Sequence, residues 1–198
     1  MEKIGQPRVS NGWLTPPLKP IPLGVSIERW GMKITLKAPS ECSRGELELF
    51  TRLARDGGEV QSYGLSNRVR RAKALAFLVE DGSTIGIAAL KQPDQGYKAD
   101  VFAKAGAAEA PGQFLYEVGW VVIAEKHRGR KLSRVLVDAV LSKSESRSVF
   151  ATSATTREAM HRTLSRFGFV RHGQSYPSSE RDEELFLFIR TGADKIPR

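Results

Sequence analysis

A chain of 198 residues with 40% hydrophobic residues suffices for one soluble domain whose core is stable without staples. Its single cysteine, Cys42, excludes an intrachain disulfide and a multi-cysteine metal site and fits a reducing compartment. The formal charge of +9, from 31 Lys plus Arg against 22 Asp plus Glu, favours anionic partners such as a nucleic acid, an acidic substrate or a polyanionic cofactor.

No apolar run approaches the roughly 18 residues of a membrane span, and the first residues lack the apolar segment of a secretory signal, so a cytoplasmic location is expected. Residues 1–31 carry Pro7, Pro16, Pro17, Pro20 and Pro22 and read as a tail or an extended arm on a domain spanning 32–198. Residues 32–39 form a first strand with Ile34 and Leu36 on one face. Ser43 with Glu46 is a capping box for a helix bearing Leu47, Phe50, Leu53 and Ala54, which Gly57-Gly58 ends. The next segment, with Glu59, Tyr63 and the cluster Arg68, Arg70, Arg71 and Lys73, is a loop with a short helix at the wall of a substrate groove.

Two strands follow, ALAFLVED and STIGIAALK, joined at Asp81-Gly82 in a tight hairpin. Residues 91–113 are expected to be irregular or briefly helical. Phe114 to Ile123 is apolar enough for a central strand covered on both faces. A basic turn, Lys126 to Lys131, leads into a helix with Leu132, Val135, Leu136, Ala139 and Val140 on its buried face. A strand at 148–151 precedes a helix that Thr155 and Glu158 would cap and Gly168 would stop, and strands at 170–174 and 184–190 complete a mixed α/β domain.

The strand, basic turn and helix start form a natural anion site, since free backbone N–H groups and the helix dipole point the same way. The N–H groups of Gly129 through Ser133 suit a pyrophosphate, with charge from Arg128, Arg130 or Lys131; the alternative is a solvated basic turn. His127, His161 and His172 show no metal-ligand spacing, and Cys42 reads as a buried or idle thiol. Tyr63, Tyr97, Phe102 and Tyr116 either line an acceptor pocket or pack in the core.

This order, with Arg128-Gly129-Arg130-Lys131-Leu132-Ser133 before a helix and Gly168-Phe169 closing the next one, resembles the GNAT superfamily of acetyl-coenzyme A dependent N-acyltransferases over about residues 32–190. The family loop reads Arg or Gln, two residues, Gly, one residue, Gly or Ala; here the last two positions are Lys131 and Ser133. The resemblance implies a single domain whose central mixed sheet carries helices on both faces, with acetyl-coenzyme A held by Arg128 to Ser133 and by the strand Val121, Val122 and Ile123. Arg157 stands near a cofactor-contacting Asn of the family, and Leu164 stands where a Tyr often protonates the thiolate.

For transfer to a primary amine by direct attack in a ternary complex, Glu117 is the candidate base, at a position where some family members carry theirs, and Glu59 is the reserve. A backbone N–H of residues 121–123 would polarise the carbonyl, and Tyr176, His161 or a water would protonate the thiolate. Glu59, Tyr63, Tyr97 and Tyr116 are the candidate acceptor contacts. The rival reading is a weak or inactive protein of the same fold that uses Arg68 to Lys73 and Arg157 to Arg171 on nucleic acid or a regulatory partner, as a monomer or homodimer.

Overall fold

The computed structural model describes residues 25–29, 31–58, 64–179 and 182–192; Trp13, Leu14, Trp30, Glu59 and Tyr63 fall outside them. Among the described residues, eight strands form one sheet in the order β1-β2-β3-β4-β5-β6-β8-β7. They are β1 (Val25–Arg29), β2 (Met32–Lys37), β3 (Ala74–Glu80), β4 (Ser83–Lys91), β5 (Tyr116–Ile123), β6 (Val149–Ala154), β7 (Val170–Pro177) and β8 (Glu184–Arg190). Every neighbouring pair is antiparallel except β5 and β6. The sheet therefore begins inside the segment read as an arm, where β1 pairs with β2 from Val25 opposite Leu36 to Arg29 opposite Met32.

Among the described residues, five α-helices, α1 (Arg44–Asp56), α2 (Leu65–Arg70), α3 (Gln95–Ala105), α4 (Leu132–Leu141) and α5 (Glu158–Arg166), cover both faces. The period-2 alternation of β3 divides the core. Ala74, Ala76 and Leu78 face Leu136 and Val140 of α4, while Leu75 and Phe77 face Phe50 and Val69 of α1 and α2. Burial on both sides explains why β3 is apolar almost throughout.

The capping box of α1 forms as its residues predict: Ser43 Oγ accepts from the Glu46 N–H at 3.2 Å, and Glu46 Oε2 accepts from the Ser43 N–H at 2.8 Å. Its buried face, Leu47, Phe50, Thr51 and Ala54, seats Phe50 edge-on to Phe77 at 5.6 Å and to Trp120 at 6.0 Å. Enclosing a phenylalanine of this kind is worth about 1.5–3 kcal/mol.

Two local expectations are corrected. Residues 95–105 form a full helix, α3, whose buried positions Lys98, Val101, Phe102 and Ala105 follow helical spacing. Lys98 disguises that stripe, because its stem is buried while its ammonium donates to the Phe114 carbonyl at 3.2 Å. Thr155 does not cap α5: Arg157 is the N-cap, and it makes no side-chain capping hydrogen bond.

Candidate active site

β5 and β6 pair only through Tyr116 with Val149 and Glu117 with Phe150. Beyond Glu117, among the described residues, the β5 edge facing β6 has no strand partner, and the two strands part. On its other edge β5 holds one extra residue against β4, since Ile87 and Ala89 pair with Val122 and Gly119. Trp120, inside this bulge, has φ 50°, a left-handed conformation unusual for a bulky residue. The bulge re-aims the strand at the point where its unpaired edge begins.

Between the strands lies a cleft of about 390 Å³, lined by residues 117–121 of β5 and 151–154 of β6. Tyr97, Asp100, Val101 and Lys104 of α3 also border it, as do Met160 and Leu164 of α5 and Tyr176 of β7. The structure thus brings together Glu117, Val121, Tyr97, Arg157 and Tyr176 from the sequence-predicted set. Tyr97 is 42% exposed, its ring facing the open cleft, while its hydroxyl reaches the Glu117 carboxylate.

The other candidates lie elsewhere. Tyr116 is buried on the α4 side and Phe102 packs against Phe114 and Phe150, so neither borders the cleft. His161 Nε2 donates to the Ala154 carbonyl at 2.9 Å and its ring lies 5.1 Å from Phe188, which makes it a packing residue. Val122 packs with the α1 cluster and Ile123 with the α4 cluster. Cys42 is half-buried, and burial together with Glu46 pushes its thiol up to about 11, far from a reactive thiolate.

Glu117 is 2% exposed and makes an ion pair through Oε2 with Lys91 Nζ at 2.6 Å. Its Oε1 accepts from Tyr97 Oη at 3.4 Å and Thr152 Oγ1 at 3.5 Å. The Lys91 ammonium also stands over the rings of Trp120 at 5.2 Å and Tyr97 at 5.5 Å. Sequence reasoning missed Lys91 and Trp120. Their signal was the polar end of a buried strand, and it becomes legible only with the register that sets Lys91 opposite Glu117.

Two tyrosine hydroxyls face this carboxylate environment. Enclosure of its hydroxyl end, then the Glu117 charge, raises Tyr97 well above its ordinary value although the ring is partly exposed, and burial and the Glu117 charge likewise raise Tyr176. Both remain protonated at neutral pH. The Tyr176 hydroxyl and Ser153 Oγ are buried in the cleft wall without a hydrogen-bond partner among the described residues. A bulge between His172 and Tyr176 shifts the β7 register and sets that tyrosine in place.

The basic turn lies at the N-terminus of α4, outside the cleft lining. Gly129 has φ 78° with open space where a side chain would begin, and Lys131, the α4 N-cap, has φ 61°. Left-handed residues at Gly129 and Lys131 bracket Arg130 and lead into the first turn of α4, whose leading N–H groups have no intrahelical acceptor. Lys131 therefore keeps the backbone shape that a glycine would adopt freely. Arg128 Nε donates to the Ile123 carbonyl at 3.3 Å. Arg130 pairs with Glu80 at the surface, at 2.6 and 2.9 Å.

Comparison with known proteins matches this geometry. The model of the acetyltransferase (GNAT) family matches residues 44–169, more than half of the chain. Among solved structures, Escherichia coli ElaA superposes with a TM-score of 0.60 at 15% identity, covering 80% of this chain and 99% of that one. An acyl-CoA N-acyltransferase from Pseudomonas aeruginosa gives 0.56 at 16% identity, covering 81% and 99%. The putative acetyltransferase yncA from Salmonella typhimurium, solved with its cofactor acetyl-CoA, gives 0.56 at 14% identity, covering 81% and 93%. A search of curated proteins finds no match. The fold, the parted strands and the family match agree: the chain belongs to the acetyltransferase (GNAT) family.

Proposed function

We propose that the chain is an acetyl-CoA-dependent N-acetyltransferase acting on a primary amine by direct attack within a ternary complex. The observation that carries this reading is the parting of β5 from β6 beyond Glu117, which opens a cleft between an unpaired strand edge and a wall of small residues. The residues suit the cofactor. Ser153 Oγ, a buried hydroxyl without a partner among the described residues, lies in the cleft wall where an amide of the pantetheine arm would supply one. The turn at Gly129 to Lys131, the α4 N-terminus and Arg128 would hold the pyrophosphate, and Arg157 would add charge at the α5 end. Bound acetyl-CoA supplies an activated thioester.

The chain's own residues then divide the work. The Val121 N–H, beside the bulge, is the donor for the carbonyl oxygen, preset by backbone and insensitive to side-chain identity. Glu117, directly or through a water, collects the proton of the attacking amine. The Tyr176 hydroxyl, protonated at neutral pH, supplies a proton to the leaving sulfur from the β7 wall, in place of the family tyrosine whose position here is the buried Leu164. Surrounding charges confine the acceptor entrance, where Arg71 pairs with Asp94 at 3.3 Å and Lys104 with Asp100 at 2.8 Å.

The test is thiol release from acetyl-CoA in the presence of small amines, lysine-containing peptides and free peptide N-termini, compared between wild type and Glu117→Gln. Acceptor-dependent release that drops about 100-fold or more in the folded variant supports the reading. Stability must be measured in parallel, because removing one partner of a buried ion pair costs about 3–5 kcal/mol. No release with any amine, together with salt-sensitive nucleic-acid binding, would favour a binding role for the same fold.

A further inference from the structure

Lys91 does something an ordinary ion pair within a sheet does not require. It lies opposite Glu117 in register, yet its stem runs along β5 over Gly119, where an added Cβ would stand 2.8 Å from Lys91 Cδ and 3.4 Å from Nζ. A bare backbone at Gly119 thus gives the lysine a track toward the bulge. At its end the ammonium meets one carboxylate and two aromatic faces, Glu117 at 2.6 Å, Trp120 at 5.2 Å and Tyr97 at 5.5 Å. Carboxylate plus aromatic faces is the chemistry that recognises an alkylammonium. All four residues border the cleft, and the lysine side chain retains 17% exposure.

We propose that this cage is the acceptor-amine subsite and that Lys91 is its resident internal substrate, so that without an external acceptor the protein acetylates its own Lys91 Nζ. The inference rests on the proposed acetyl-CoA-dependent activity. In balanced form, the Lys91 ammonium gives one proton to Glu117 and the freed lone pair attacks the thioester carbonyl carbon. A C–N bond forms, the C–S bond breaks, the departing thiolate takes the Tyr176 hydroxyl proton, and the second proton on nitrogen restores that hydroxyl. The products are Nε-acetyl-Lys91 and the free thiol of coenzyme A, with the first proton released from Glu117 to solvent. Acetylation removes the lysine charge, so Glu117 loses its counter-ion and the cage is altered for later acceptors.

The test uses the full chain in three arms. Acetyl-CoA binding is measured by calorimetry, and the same sample is incubated with acetyl-CoA alone and read by peptide mass spectrometry at Lys91 and at the exposed Lys33 and Lys126. A matched sample receives acetic anhydride, which reports simple accessibility. The expected result is an inverted order: acetic anhydride modifies Lys33 and Lys126 ahead of Lys91, whereas acetyl-CoA modifies Lys91 at least about tenfold faster than either, because the group is held beside the reacting carbon. Binding of acetyl-CoA without preferential Lys91 acetylation overturns the internal-substrate inference and leaves the proposed function standing. No binding overturns both. Independently of the cofactor, Lys91→Ala should bind n-butylammonium in calorimetry while wild type does not; equal binding or none in a folded variant refutes the ammonium cage.

Discussion

Replacing Tyr176 by phenylalanine separates a proton-donor role from a packing role. The tyrosine ring packs with Phe102, Phe114 and Phe150 under α3, and phenylalanine keeps those contacts. The hydroxyl is buried without a partner among the described residues, and an unsatisfied polar group costs about 1–3 kcal/mol. Because it borders a cleft that water can enter, the lower end applies, and Tyr176→Phe should leave stability unchanged or raise it by about 1 kcal/mol. A titration sign accompanies this. With the folded value raised above the ordinary 10.0, wild type loses stability as pH rises past that point, since the unfolded chain ionises first. The variant should lose less over the same alkaline range, with the raised Tyr97 as the remaining contribution. Turnover should move the other way, with kcat falling about 100-fold or more and the KM for acetyl-CoA little changed. Urea unfolding from neutral to alkaline pH, paired with steady-state thiol release, reads both. Undiminished kcat, or a loss of several kcal/mol of stability, would refute the role assigned to the hydroxyl.

Other expectations concern the frame of the site. Ser43→Ala should cost about 1 kcal/mol in denaturant unfolding by removing the α1 cap. The Lys37 ammonium, at 2.6 Å, holds the Glu46 carboxyl below its usual range, so its small contribution is present above that range and lost as pH falls through and below it; Glu46→Gln should flatten that part of the stability profile. Lys131→Gly should preserve the turn before α4 and raise stability by up to about 1 kcal/mol, since a left-handed residue with a side chain costs roughly 1–2 kcal/mol and glycine returns part of that as chain entropy. Cys42, with its thiol pushed up to about 11 from 9.0, should react with iodoacetamide at pH 8 about 100-fold more slowly than an ordinary cysteine; an ordinary rate would contradict its burial.

Much of the architecture was readable because local and global preferences agree. The apolar runs of β3 and β4, the Asp81-Gly82 turn and the Ser43–Glu46 box form in the structure as their residues predict. α3 stayed hidden because Lys98 occupies a core position, and burial of a lysine stem is invisible to hydrophobic periodicity. The site was legible in part. Glu117 stood out as an acid in an apolar strand, and the basic turn as a helix start. The opening of the sheet, however, depends on an extra residue at Trp120 and on pairing that stops at Glu117, neither of which composition records. Lys91 and Glu117 meet only through cross-strand register, while His161 and Tyr116 belong to the packing of the α4–α5 side.

The most direct measurement is a calorimetric titration of acetyl-CoA into wild type and into Lys131→Glu, which places a carboxylate in the turn before α4. Residues 121–133 and the opened cleft predict single-site micromolar binding by wild type, weakened at least about tenfold in the charge-reversed variant. Absence of binding by wild type, or binding indifferent to the reversal, would contradict a cofactor held between β5 and β6 with its pyrophosphate at the start of α4.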